Sequence, residues 1–225
     1  MSYNYLDDDT NGDYNGNYVL EVNVMGAKYV SSAEVDRAYD AVQNAVQIVY
    51  NGGYVDGTIV RKYTTDNAVD CSNRYSDGRK WLDNNSLTGD GVYLWVTGCS
   101  GSSGAAIGAW EGREQAFIST TVNDNNKFKA LAVQEGFHPY INKNCEYVNR
   151  KFGNTGNGEH DLGESAFISG RDYITPMATT YNNSINAGSC DNGDDTFYSH
   201  TTDLTLCTKQ SIKSSWRHAQ SNGSH

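Results

Sequence analysis

The sequence predicts an α/β fold in which strands and long helices alternate along one chain. Three observations carry that reading. Apolar and polar residues alternate from Leu20 to Met25, apolar residues recur at helical spacing from Val35 to Val49, and three later runs (residues 58–63, 92–96 and 116–122) are rich in β-branched and aromatic side chains. A chain of 225 residues is long enough for one well-buried core, so residues 18–225 are expected to form a single domain.

Residues 1–17 are mostly Asp, Asn, Gly and Tyr without periodicity and predict a mobile or surface-draped arm. The first strand follows at residues 18–25, buried on one face and stopped by Gly26. Ser31 with Glu34 three residues later forms a capping box for a helix of about 20 residues. Its apolar face is Val35, Ala38, Val42, Ala45, Val46 and Val49, and Gly52 with Gly53 ends it. The three strand runs come next, with a Gly- and Ser-rich stretch before the last of them in which residues 105–110 suit a short edge strand.

A second helix is expected with Asn125 or Asn126 as its N-cap, carrying Phe128, Leu131, Ala132, Glu135 and His138. Pro139 ends or kinks it, because proline lacks a donor and biases the preceding residue away from helical geometry. Residues 142–158 and 175–203 read as irregular, and a last helix runs from Thr208 to about Gln220 with Ile212 and Trp216 on one face.

The formal charge is −10, from 27 acidic and 17 basic residues, which repels phosphate backbones and excludes nucleic acid as a partner. No run approaches the roughly 18 apolar residues that span a bilayer, and the first residues have neither a basic start nor an apolar run. A soluble protein without membrane association is expected, any signal or pro-segment having been removed. The five cysteines include no CxxC pair, which suits one or two disulfides with a thiol left over and hence an oxidising, extracellular setting. Order along the chain suggests Cys71 with Cys99, and Cys145 with Cys190 or Cys207.

The chemistry concentrates in Gln134-Glu135-Gly136-Phe137-His138. Helical residues four apart share a face, so Gln134 and His138 point the same way with Glu135 beside them. Two donors at that spacing can hold a metal ion while the intervening glutamate polarises a bound water.

This segment resembles the HExxH helix of the zincin metallopeptidases, and the resemblance extends, as an order of elements, over residues 18–220. Metzincin-like members run strand, long helix, strands, active-site helix, third histidine ligand, methionine turn and final helix. The matching segments here are residues 20–25, the helix after Ser31, the strands ending at Val122, the QEGFH helix, Glu159-His160-Asp161-Leu162-Gly163, Thr175-Pro176-Met177-Ala178 and the helix from Thr208. Gln134 stands where the family has its first histidine, and His160 lies farther along the chain than that family's third ligand.

The resemblance implies a zincin-like, twisted mixed sheet of about four to five strands with a backing helix, an active-site helix and a C-terminal helix. It implies Zn2+ held by His138, His160 and the Gln134 oxygen, with Glu159 and Glu164 as alternatives to His160. Glu135 becomes the general base and Met177 the structural methionine turn. The expected protein is a secreted, monomeric metalloendopeptidase acting on a polypeptide laid along an edge strand.

Plainer readings stand beside these. Glu135 and His138 also suit a polar patch on a half-buried helix, Met177 an ordinary core methionine, and His200, His218 and His225 solvated surface positions. The loss of a histidine at Gln134 suits a zincin-like binding or structural module without catalysis. The 16 tyrosines and four tryptophans among many Asn and Gly residues suit a carbohydrate-binding surface.

Overall fold

A computed structural model describes residues 3–13, 15–87, 91–100, 104–105, 114–151, 162–163, 165–169, 171–178, 190 and 199–221. The architecture is mixed α/β. In chain order the elements are β1 (Tyr3–Gly12), β2 (Val19–Gly26), α1 (Ser32–Asn51), β3 (Gly57–Thr65), α2 (Arg74–Asn84), β4 (Val92–Thr97), β5 (Gly104–Ala105), β6 (Glu114–Ser119) and α3 (Asn125–Phe137). A 3-10 turn (His138–Tyr140) leads to α4 (Glu146–Lys151), β7 (Ser165–Ile168), β8 (Arg171–Ile174), a second 3-10 turn (Pro176–Ala178), β9 (Ser199–His200) and α5 (Leu206–Ser221).

The main sheet has six strands in the order β1-β3-β2-β4-β6-β5. The inner four are parallel, and antiparallel strands β1 and β5 close the two edges. Parallel strands covered on both faces read as nearly continuous apolar runs, which is why β4 and β6 are buried at every position. Alternate residues divide the sheet between two cores. Leu20, Val22, Val24, Leu94 and Ile118 pack with α1 and α3 on one face, while Met25, Tyr63, Tyr93, Trp95 and Phe117 pack with Trp81 and Leu82 of α2 on the other. Each such aliphatic side chain contributes about 1.5–3 kcal/mol on burial.

α1 follows the sequence reading closely. Ser31 Oγ accepts from the Glu34 backbone N–H at 3.4 Å, and the Glu34 carboxylate accepts from the Ser31 backbone N–H at 2.9 Å. The predicted apolar face of six residues is fully buried. α5 is anchored to the start of β2, where Tyr18 donates to the Ile212 carbonyl at 2.9 Å and stacks on Trp216 at 4.7 Å between centroids.

Several elements depart from the sequence reading. The segment expected to be a mobile arm is largely the edge strand β1: its side chains are exposed, but its backbone completes β3, and Tyr3 and Tyr5 meet the Tyr63 ring edge-on at 5.9 and 5.6 Å. β6 starts earlier than expected and ends at Ser119, because Thr120 and Thr121 turn away from the sheet. The cap of α3 is Asp124, not Asn125 or Asn126, and its carboxylate accepts from the Lys127 N–H at 2.9 Å. Within the stretch expected as a loop at 142–158 lies α4, and the stretch at 175–203 contributes a 3-10 turn and β9. β7, β8 and β9 form a separate three-stranded sheet. Of the 105–110 edge-strand expectation, Ala105 lies in β5, and residues 106–110 fall outside the described residues.

Two disulfides are present. Cys71 pairs with Cys99 as expected, whereas Cys190 pairs with Cys207 and leaves Cys145 as a buried thiol. The second pairing corrects the sequence-based order: Cys145, just ahead of α4, is packed in the core beside Val148 rather than brought to either partner.

Candidate active site

α3 lies on the same sheet face as α1 and also contacts the Pro176–Ala178 turn. Burial is therefore nearly complete along its last two turns, and it falls on polar as well as apolar residues. Gln134 is 0% exposed and Glu135 3%. Gly136 faces the sheet at ordinary packing distance; a Cβ at this position would lie 3.8 Å from both Val22 Cγ1 and Val42 Cγ2. Phe137 is wholly buried, and His138, the C-cap, is half-buried.

The three polar side chains form one chain of contacts. The Gln134 amide nitrogen lies 3.3 Å from His138 Nε2 and donates to Glu135 Oε1 at 3.4 Å. The direction of the Gln134–His138 contact is set by the imidazole tautomer, since an amide offers a donor on one side and an acceptor on the other. The sequence expectation that Gln134 and His138 share a face is met in this geometry. The carboxylate of Glu135 is gathered into the same cluster through the amide.

Two features around α3 carry no mark in the sequence. Tyr140 donates its hydroxyl to the Glu21 carbonyl at 2.6 Å and accepts from the Glu21 N–H at 2.9 Å, fixing the turn after His138 to β2. No motif marks such a clamp, because it joins residues 119 positions apart. The other is a cavity of about 360 Å³ beside the N-terminal half of α3, lined by Asn126, Lys129, Tyr173, His200 and Asp203 among others. His200, expected to be a solvated surface residue, is half-buried there, and desolvation lowers its pKa against the pull of Asp124.

Met177 is fully buried in the same core cluster as Phe128, Leu131, Ala132, Val133 and Phe137 of α3. His160, Glu159 and Glu164, the expected third ligand and its alternatives, lie outside the described residues, as does His225. Among the described residues there is no group of three or more His, Cys, Asp or Glu side chains placed to hold a metal ion. His218 sits in the last turn of α5, far along the chain from the cluster. No helix among the described residues is long and apolar enough to cross a membrane.

No protein-family model matches this sequence, and no curated protein sequence matches it.

Proposed function

We propose that the chain is a secreted, zincin-like metalloendopeptidase that hydrolyses peptide bonds with Glu135 as general base. The observation that carries the reading is the convergence of Gln134 and His138 at 3.3 Å, with the Glu135 carboxylate tied to the same amide. The order of elements supports it: a strand, a long helix, further strands, the helix bearing the cluster, the turn at Met177 and a final helix. Oxidising surroundings follow from the two disulfides, which persist outside reducing compartments.

The donor chemistry fits a zinc ion in part. His138 turns Nε2 toward the Gln134 amide, and a neutral imidazole ligates through such a nitrogen. Gln134 now presents its nitrogen, and a half-turn of the amide exchanges nitrogen for oxygen without changing its shape. The ligands would be His138, the Gln134 oxygen and His160. When bound, the ion supplies acidity to a water and polarises the substrate carbonyl.

The residues of the chain do the rest. The half-turn of Gln134 ends its donation to Glu135, so that the carboxylate can take a proton from the attacking water and return it to the leaving amine. Tyr140 keeps His138 in register with β2. A polypeptide substrate would lie extended against the short antiparallel edge strand β5, pairing by main-chain hydrogen bonds. The protein would act as a monomer.

The test is zinc content after loading and dialysis, combined with hydrolysis of a casein-like substrate. Near-stoichiometric zinc with chelator-sensitive cleavage is expected, and full cleavage by Glu135→Ala would sink the reading. One observation favours a second reading, a zincin-like binding or structural module without catalysis. The Gln134 amide already engages both Glu135 and His138, so the cluster is bonded within itself. That reading predicts no retained zinc and a melting temperature indifferent to chelator.

A further inference from the structure

We propose that the cavity at the carboxyl ends of the parallel strands is a binding site for a small monocarboxylate with an apolar body, separate from the Glu135 cluster. The chain leaves β2 for β3 on one side and later returns to lay β4 on the other, so the strand order reverses between β2 and β4. α1 and α2, which make these two crossings, pack on opposite faces of the sheet. Connections that diverge in this way leave a crevice beyond the strand ends, the position where open α/β sheets take ligands.

A cavity of about 300 Å³ occupies that position, within the usual range for small-molecule sites. Its lining is drawn from the segments that follow β2, β3, β4 and β6. Ala27, Val30, Ala68 and Val69 give it apolar walls, and the Cys71–Cys99 disulfide ties the segment after β3 to the segment after β4. Gly98 also lines it, and a side chain built there would meet no atom within 4 Å.

The charge of the ligand follows from the polar groups. In a chain of net charge −10, Lys28 lines the cavity with no carboxylate within ion-pair distance among the described residues. Its ammonium lies 5.1 Å from the Tyr29 ring centroid, and Tyr29 itself is 86% exposed with φ of 74°. A non-glycine residue in the left-handed region is sparsely populated and concentrates at ligand sites, and here it holds an aromatic ring outward at the mouth. Of the three lining residues that carry a hydroxyl, Thr97 already donates to the Ile118 carbonyl, and Tyr29 and Thr120 are the other two. Phosphate is disfavoured, because the nearby α1 N-terminus is already closed by the Glu34 carboxylate. One cation with neutral hydroxyls over an apolar cavity matches a single carboxylate on an apolar body.

The test is a titration of the full chain, isotope-labelled for NMR, with 3-phenylpropionate as the probe. Amide shifts confined to residues 27–30, 68–71, 97–99 and 120 are expected, saturating in the millimolar range or below. Lys28→Gln should weaken binding on the order of tenfold, as loss of one charge-assisted hydrogen bond does. Gly98→Leu and, at the exposed wall position, Ala68→Phe should each abolish it with unchanged melting temperature. Absence of shifts at these residues at 10 mM probe overturns the site. Equal binding of 3-phenylpropanamide overturns the carboxylate assignment, and neither result bears on Glu135.

Discussion

The amide nitrogen of Gln134 stands 3.3 Å from Nε2 of His138 one helical turn away, so under the proposed metal site a single side-chain rotation would turn this pair from a hydrogen bond into two ligands. Replacing Gln134 with histidine removes that choice. Gln134→His should tighten zinc binding on the order of tenfold or more, since imidazole is a far better zinc ligand than an amide oxygen. Competition with a chromogenic chelator measures the affinity. An unchanged or weaker affinity would show that the two side chains do not face a common metal position.

Gly136, between Glu135 and Phe137, should accept a methyl group. A Cβ there meets Val22, Val42 and Leu94 at 3.8–3.9 Å, ordinary van der Waals contact, and glycine inside a helix costs roughly 0.5–1 kcal/mol relative to alanine. Gly136→Ala is therefore expected to raise the stability by about that amount, read as the shift of the urea midpoint at constant slope. A loss of more than about 1 kcal/mol would mean that α3 already touches the sheet more tightly than these distances allow.

The main elements were legible in the sequence where one periodicity dominated. The α1 face from Val35 to Val49 and the alternation along β2 are direct consequences of one buried side per element. β1 was not legible, because an edge strand of Asp, Asn and Tyr is exposed on both faces and is held by backbone pairing that leaves no hydrophobic pattern. α2 was missed for a related reason: it buries only Gly78, Trp81 and Leu82 in eleven residues. At the site, helical spacing alone brought Gln134 to His138, whereas the Tyr140 clamp on Glu21 and the half-burial of His200 depend on contacts far apart in sequence.

Removing the Tyr140 hydroxyl should loosen the segment that carries His138. Tyr140→Phe removes partners from both backbone groups of Glu21, and the expected cost is about 1–3 kcal/mol, the range for a buried group left unsatisfied. Chemical denaturation measures this. Hydrogen exchange at Ile141, whose N–H bonds to the His138 carbonyl at 3.0 Å, should quicken in parallel. Unchanged stability and exchange would remove Tyr140 from the support of the site.

Thiol counting tests the disulfide pattern. Under denaturing, non-reducing conditions one thiol per chain should react, and Cys145→Ala should bring that count to none. Opening the crosslinks at sequence separations of 28 and 17 should cost about 3–4 kcal/mol each by chain entropy. A Cys145→Ala protein that still shows a reactive thiol would contradict the pairing of Cys190 with Cys207.

His200 should make the fold sensitive to acid. Its half-buried imidazole has a lowered pKa because burial disfavours the charged form, while Asp124 opposes the shift and Lys127 adds to it. The unfolded chain therefore takes up a proton at higher pH than the folded one, and folding opposes that uptake. Stability from this residue is fully present above the unfolded histidine value of about 6.5 and is lost as pH falls through the lower folded value. Melting temperatures measured at pH 7.5 and pH 5 should fall less steeply for His200→Gln than for the wild type. An equal fall in both proteins would assign the acid sensitivity to other groups. A steeper fall in the variant would reverse the sign of the shift and require the imidazolium to be stabilised where it sits.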